Sequence, residues 1–148
     1  MIELDALTSL GDLGNLGLTT LLITDNPNLV TISGLSGLSD LRELVIATSN
    51  KLPSIPSLSN LTSLERVIIH GNAMLSTLPS MSDFTALTEL DVSNNPRLTA
   101  IPSVSTFRDL TSLEVYGNAN STAISIADVS SLMASSGGIY SSIYASRV

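Results

Sequence analysis

Chemistry needs particular side chains within reach of one another, and this sequence offers few. Its single histidine, His70, has Glu89, Asp91 and Asp25 as its nearest acidic candidates in the pattern described below. A lone imidazole on an exposed strand is usually a surface residue, so no metal site is expected. Glu89, Asp91 and Glu114 would attract a hard cation such as Ca²⁺, yet no loop has the carboxylate spacing of a calcium site. The absence of cysteine excludes disulfides, thiolate ligands and cysteine nucleophiles. There is no Gly-rich phosphate loop, and none of the many serines sits in a nucleophile-elbow context. Paired carboxylates on an open sheet would lack the desolvation that tunes catalytic pKa values. The expectation is a protein that is not an enzyme and uses no cofactor.

Charge narrows the partners. A formal charge of −7 with only six basic residues argues against nucleic acid and against an acidic lipid surface. No apolar run reaches the ~18 residues that span a bilayer. The opening "MIELDALTSL" lacks the basic n-region of a signal peptide. Low Lys content, abundant Ser and Thr, and two acceptor sequons at Asn60 and Asn120 point towards an extracellular or cell-surface glycoprotein.

The elements that would position these residues recur at a fixed interval. "LTTLLITDNPNLVTIS", "LRELVIATSNKLPSIP", "LERVIIHGNAMLSTLP", "LTELDVSNNPRLTAIP" and "LTSLEVYGNANSTAIS" begin at 18, 41, 64, 87 and 110, each 23 after the last. A period of this size marks a repeat architecture. Relative to the first leucine, the fourth position is Leu21, Leu44, Val67, Leu90 and Leu113; the sixth is Ile23, Ile46, Ile69, Val92 and Val115. That alternation predicts a short strand with one face buried, and identical strands at this interval must stack in parallel. The ninth position holds Asn26, Ser49, Asn72, Asn95 and Asn118. Stacked carboxamides there would bond the backbone groups left free where the strand turns away. Return segments carry Leu29, Leu52, Leu75 and Leu98, then Ile32, Ile55, Leu78, Ile101 and Ile124, with Pro56, Pro79 and Pro102 following. Ser36, Ser59, Ser82 and Ser105 each suit the N-cap of a single helical or 3₁₀ turn.

The pattern Leu87-x-x-Leu90-x-Val92-x-x-Asn95-x-x-Leu98-x-x-Ile101-Pro102 resembles the leucine-rich repeat family. The match spans roughly residues 13–124. It departs from the usual pattern in having two residues, not one, between Asn and the next Leu. The resemblance implies a leucine-rich repeat solenoid. Its parallel β-sheet would line the concave face, and short turns or 3₁₀ segments the convex face. It also implies binding or scaffolding in place of catalysis.

A single domain over 1–148 is expected, with 1–17 a degenerate first repeat, 18–124 regular repeats and 125–148 a C-terminal cap and tail. Before Leu18 one residue is missing from the period. Ile126, Val129 and Leu132 fit a capping helix starting near Ser125 or Asp128 and stopping by Gly137-Gly138. The tail "IYSSIYASRV" reads equally as an added edge strand or as helical i, i+4 pairs.

Positions that alternate with the buried ones form the candidate binding face. Leu22, Val45 and Ile68 would be apolar anchors on a surface that should be wet. Arg66, His70, Glu89, Asp91, Glu114 and Tyr116 complete the polar and aromatic surround. The plain alternative is that aliphatic side chains simply suit a strand. A threonine ladder for ice would need unbroken Thr columns, and these break. The primary expectation is a recognition module for a protein or glycan ligand. The alternative is a structural subunit that self-assembles as a dimer or filament through repeat edges or its tail.

Overall fold

The computed structural model describes residues 7–119 together with the backbone of 142–144. The chain winds as a parallel β-solenoid of about five turns. The predicted strands form at β2 (Thr20–Thr24), β4 (Glu43–Ala47), β5 (Arg66–His70), β6 (Glu89–Asp91) and β7 (Ser112–Glu114). They stack in sequence order, all parallel, with Thr20, Glu43, Arg66, Glu89 and Ser112 in register. Each register step is 23 residues, so the sequence period and the stacking period are the same. Hydrophobic residues at the fourth and sixth positions point inward; Leu44, Ile46, Val67 and Ile69 are fully buried.

Of the tail, residues 142–144 are described, and they form an edge strand. β8 (Ser142–Tyr144) pairs in parallel with β7, Ser112 facing Ser142, and becomes the sixth strand. The capping helix proposed from the sequence, and Asn120, lie outside the described residues.

A second, narrower ladder runs on the return side. β1 (Ser9–Leu10) pairs in parallel with β3 (Thr31–Ile32), and a single bridge links Ser54 to Thr77. Ser9 faces Thr31 at an offset of 22, whereas Thr20 faces Glu43 at 23. The shortened first turn is therefore real. The missing residue falls in Leu16-Gly17-Leu18, where the next turn has Leu38-Ser39-Asp40-Leu41.

The return segments contain no 3₁₀ helix among the described residues. They are separate four-residue turns placed three apart. Leu38 N–H donates to Leu35 O at 3.1 Å, and Leu41 N–H to Leu38 O at 3.0 Å. The same pair recurs at Leu58-Leu61-Leu64 and at Met81-Phe84-Leu87. A 3₁₀ helix needs such bonds on successive residues. Here each corner turns an apolar side chain into the core and leaves two exposed or half-buried residues between, and Leu35, Leu38, Leu41, Leu58, Leu61 and Leu64 are all fully buried. The two-residue gap between Asn and Leu has a matching cause. Leu29, Leu52, Leu75 and Leu98 each donate N–H to the carbonyl of the ninth-position residue three before, closing one more turn. Pro27 and Pro96 occupy its second position, where a fixed φ favours it.

Candidate functional site

The face left uncovered by the core is the outer side of the six-stranded sheet. The strands carry third, fifth and seventh positions outward, and their side chains are exposed or half-buried along β2, β4 and β5. The register brings the sequence-predicted residues into two rows. Leu22, Val45, Ile68, Asp91 and Glu114 are successive partners across the strands. Leu22 is 60% exposed, far more than a core leucine, whereas Val45 and Ile68 are half-buried by their neighbours.

In the third-position row Arg66 lies between two acids. Its Nε donates to Glu89 Oε2 at 2.8 Å and its Nη1 to Glu43 Oε1. The hydrogen bond to Glu89, then that to Glu43, pushes the guanidinium pKa upward, against a smaller desolvation effect. One column towards the turn, Arg42 pairs with Glu65 across the same step. Both ladders follow from charges placed 23 apart, a signal visible in the sequence for Arg42 and Glu65 as well as for Glu43.

His70 sits beside Asp91 and Ser93. Its Nδ1 lies 2.9 Å from Ser93 Oγ and 3.5 Å from Asp91 Oδ2. Asp91 Oδ1 also accepts the Ser93 N–H at 2.9 Å. The three residue types are those of a hydrolytic triad, but the arrangement is different. A triad places the serine at one ring nitrogen and the carboxylate at the other. Here both compete for Nδ1, and Ser93 is fully buried, out of reach of a substrate. Strict alternation along the strand would put Ser93, in the same column as His70 and Tyr116, on the open face. β6 ends at Asp91, so the alternation stops there and both Val92 and Ser93 turn inward. Among the described residues no three His, Cys, Asp or Glu side chains converge as a metal site.

Tyr116 is half-buried at the end of the same face, after Glu114. On the opposite side, an open groove of about 270 Å³ lies between the third and fourth return segments, bordered by Leu78, Pro79, Ile101 and Pro102. Its lining has no titratable side chain, so it offers no acid, base or charged nucleophile.

The asparagine column holds this face in register. Asn72 Nδ2 donates to Ile46 O (2.9 Å) and His70 O (3.2 Å), while its Oδ1 accepts the Ser49 N–H (3.0 Å). Asn95 repeats the set with Ile69 O, Ser93 O and the Asn72 N–H. Asn118 bonds Val92 O, Val115 O and the Asn95 N–H. Asn26, at the first turn, bonds Thr24 O at 2.8 Å. The residue before each column member has a left-handed backbone: Asp25, Thr48, Gly71, Asn94 and Gly117 have φ between 52° and 71°. The amides of the first four donate to the seventh-position carbonyl of the next turn, at 2.8 to 3.2 Å.

Of the two sequons, Asn60 lies exposed in the turn Leu58–Leu61. Compared with known proteins, the chain matches no family model and no curated protein. The protein is thus classed by its architecture, a parallel solenoid of 23-residue turns.

Proposed function

We propose that the chain is a recognition module of leucine-rich repeat type that binds a protein or glycan ligand on its open sheet face without catalysis. The carrying observation is the fifth-position row. A regularly spaced row of Leu22, Val45 and Ile68 continues directly into Asp91 and Glu114, with Leu22 exposed and the other four half-buried. Apolar patches bordered by charge are where proteins bind other molecules. The repeat-type assignment is supported by the Leu-x-x-Leu-x-Ile/Val-x-x-Asn columns and by the structural use of each Asn. Export to the cell surface, with a glycan at Asn60, is part of the same reading. The test is binding of candidate proteins and an oligosaccharide array to the intact chain and to Ile68→Glu and Asp91→Lys. The reading expects a ligand that both substitutions weaken. A ligand indifferent to both removes it.

A second reading is assembly of copies into a dimer or filament. It is favoured by one observation: among the described residues β2 is an edge of the sheet, and Leu22 within it and Leu16 before it are 60% and 62% exposed. Edge strands with apolar neighbours pair readily with other chains. Molar mass across a wide concentration range, with and without residues 125–148, separates the two readings.

A further inference from the structure

Charges on the open sheet face are matched across the strands with one exception. Glu43 faces Arg66, and Arg66 faces Glu89. Both contacts are closed by hydrogen bonds. One row over, Asp91 faces Glu114 in register. Like charges directly opposite one another on neighbouring strands are destabilising. Neither has a lysine or arginine partner among the described residues: the nearby cation, Arg66, is already engaged by two acids, and the His70 ring nitrogen 3.5 Å from Asp91 Oδ2 is a counter-charge only when protonated. Asp91 is also held in place: its side chain is only 17% exposed, and Oδ1 is fixed by the Ser93 amide. The pair adjoins the apolar half of the same row, because Ile68 is the register partner of Asp91.

We infer that the occupant of this face is an extended segment of another protein, with alternating apolar residues followed by a lysine or arginine that lies between Asp91 and Glu114. This rests on the recognition reading above and specifies its partner. The change from apolar to acidic runs across the strands, so the segment lies across them. Neighbouring strands are about 4.8 Å apart, and alternate side chains of an extended chain about 6.8 Å apart. One alternate step therefore covers about 1.4 strands. An apolar side chain over Ile68 puts the next one on that side, two residues away, between Asp91 and Glu114. In the other direction the same step reaches the space between Leu22 and Val45. The motif is apolar-x-apolar-x-Lys/Arg, in either chain direction. A cation there offsets the repulsion of the acidic pair, and the net negative charge of the protein favours its approach.

The experiment is selection of a displayed random seven-residue peptide library on the intact chain at low salt. Affinities of the enriched peptides are then measured on the parent and on Leu22→Ser, Ile68→Glu, and the double variant Asp91→Lys/Glu114→Lys, each checked for native circular dichroism. The expected result is enrichment of the alternating motif. Ile68→Glu should weaken it by about tenfold or more, equivalent to ~1.4 kcal/mol. The double charge reversal should switch the selected basic residue to Asp or Glu. Leu22→Ser, at an exposed site, is the variant that keeps the test valid should Ile68→Glu not fold. Peptides that need Ile68 but carry no basic residue overturn this inference and leave the recognition reading standing. Peptides indifferent to every substitution on the face overturn both. Failure to enrich any peptide, with an oligosaccharide bound on the same face, overturns the protein partner alone.

Discussion

The carboxamide oxygen of Asn95 accepts the backbone N–H of Asn72 at 3.0 Å, and its nitrogen donates to Ile69 O and Ser93 O at 2.8 and 3.0 Å. One fully buried side chain thus satisfies three backbone groups on two turns of the solenoid. Leaving a buried backbone group without a partner costs about 1–3 kcal/mol. Ser93 O keeps the Gly71 N–H, so Asn95→Ala orphans the Asn72 N–H and Ile69 O and should lower unfolding free energy by roughly 2 kcal/mol or more. Urea unfolding of the two proteins measures this. A loss below about 1 kcal/mol would mean that water replaces the carboxamide and the column is not structural.

The same column has a natural gap at Ser49. Its hydroxyl reaches Ala47 O at 3.5 Å, and it is too short to extend the relay to the Asn26 amide as Asn72, Asn95 and Asn118 do for the turns before them. Ser49→Asn supplies the missing oxygen in a backbone frame already built for it. The expected gain is about 1 kcal/mol, read as a higher urea midpoint at unchanged slope. A loss of stability would show that this turn has repacked around the smaller side chain.

Much of this was legible in the sequence. The strands, their parallel order and the asparagine column followed from residues 23 apart, because each column repeats one side-chain type for one structural reason. The left-handed position before each ninth-position residue was not apparent, since it is filled by Asp25, Thr48, Gly71, Asn94 and Gly117. There the backbone is set by its bond to the next turn, and no single side chain is required. The burial of Ser93 is not legible from alternation, because β6 ends at Asp91 and the period of two stops there. Arg42 and Glu65 were overlooked because their column carries threonine in the other turns.

Thr48 is the one β-branched residue in that left-handed column, at φ 52°. This conformation costs an L-residue roughly 1–2 kcal/mol. Its hydroxyl accepts from the Asp25 amide at 2.9 Å and donates to Asp25 Oδ1 at 2.7 Å. Asparagine tolerates the backbone better and offers both an acceptor and a donor. Thr48→Asn should raise stability by about 0.5–1 kcal/mol. Thr48→Gly relaxes the backbone but loses both bonds, and should fall below Thr48→Asn in thermal unfolding. The opposite order would assign the strain no weight.

Arg66 bridges Glu43 and Glu89 at a partly exposed site. Exposed pairs contribute about 0–1 kcal/mol each. Arg66→Ala should cost about 1 kcal/mol at low salt and less at high salt. The folded-state pKa of Arg66 is raised, so its contribution is fully present below the pKa of the unfolded guanidinium and is lost only as pH rises through the folded value. Both lie far into the alkaline range, and the cost of Arg66→Ala should therefore be the same at pH 7 and pH 9. A cost that changes between those values would require another titrating group in the network.

The first turn tests how strictly the period governs burial. Leu16 is 62% exposed, while its counterpart one turn on, Leu38, is fully buried. Position at the end of the stack does not account for this, since Leu13 and Leu18 on either side are half-buried under the same conditions. The missing residue between Leu16 and Leu18 does: without it the turn is too short to swing the side chain inward. Gly37 allows this tight turn to stack, because a Cβ there would lie 2.7 Å from Gly14 O. Replacing Gly17 by Ser-Asp, as in the following turn, should restore the period and bury Leu16. Burying most of a leucine is worth about 1.5–3 kcal/mol, less the entropy of ordering one more residue, about 1–2 kcal/mol. The insertion should be neutral to mildly stabilising, whereas a random one-residue insertion in a packed turn destabilises. Protection of the Leu18 amide from hydrogen exchange should rise with it. An unchanged exchange rate together with lower stability would show that the first turn is short because its own packing requires it.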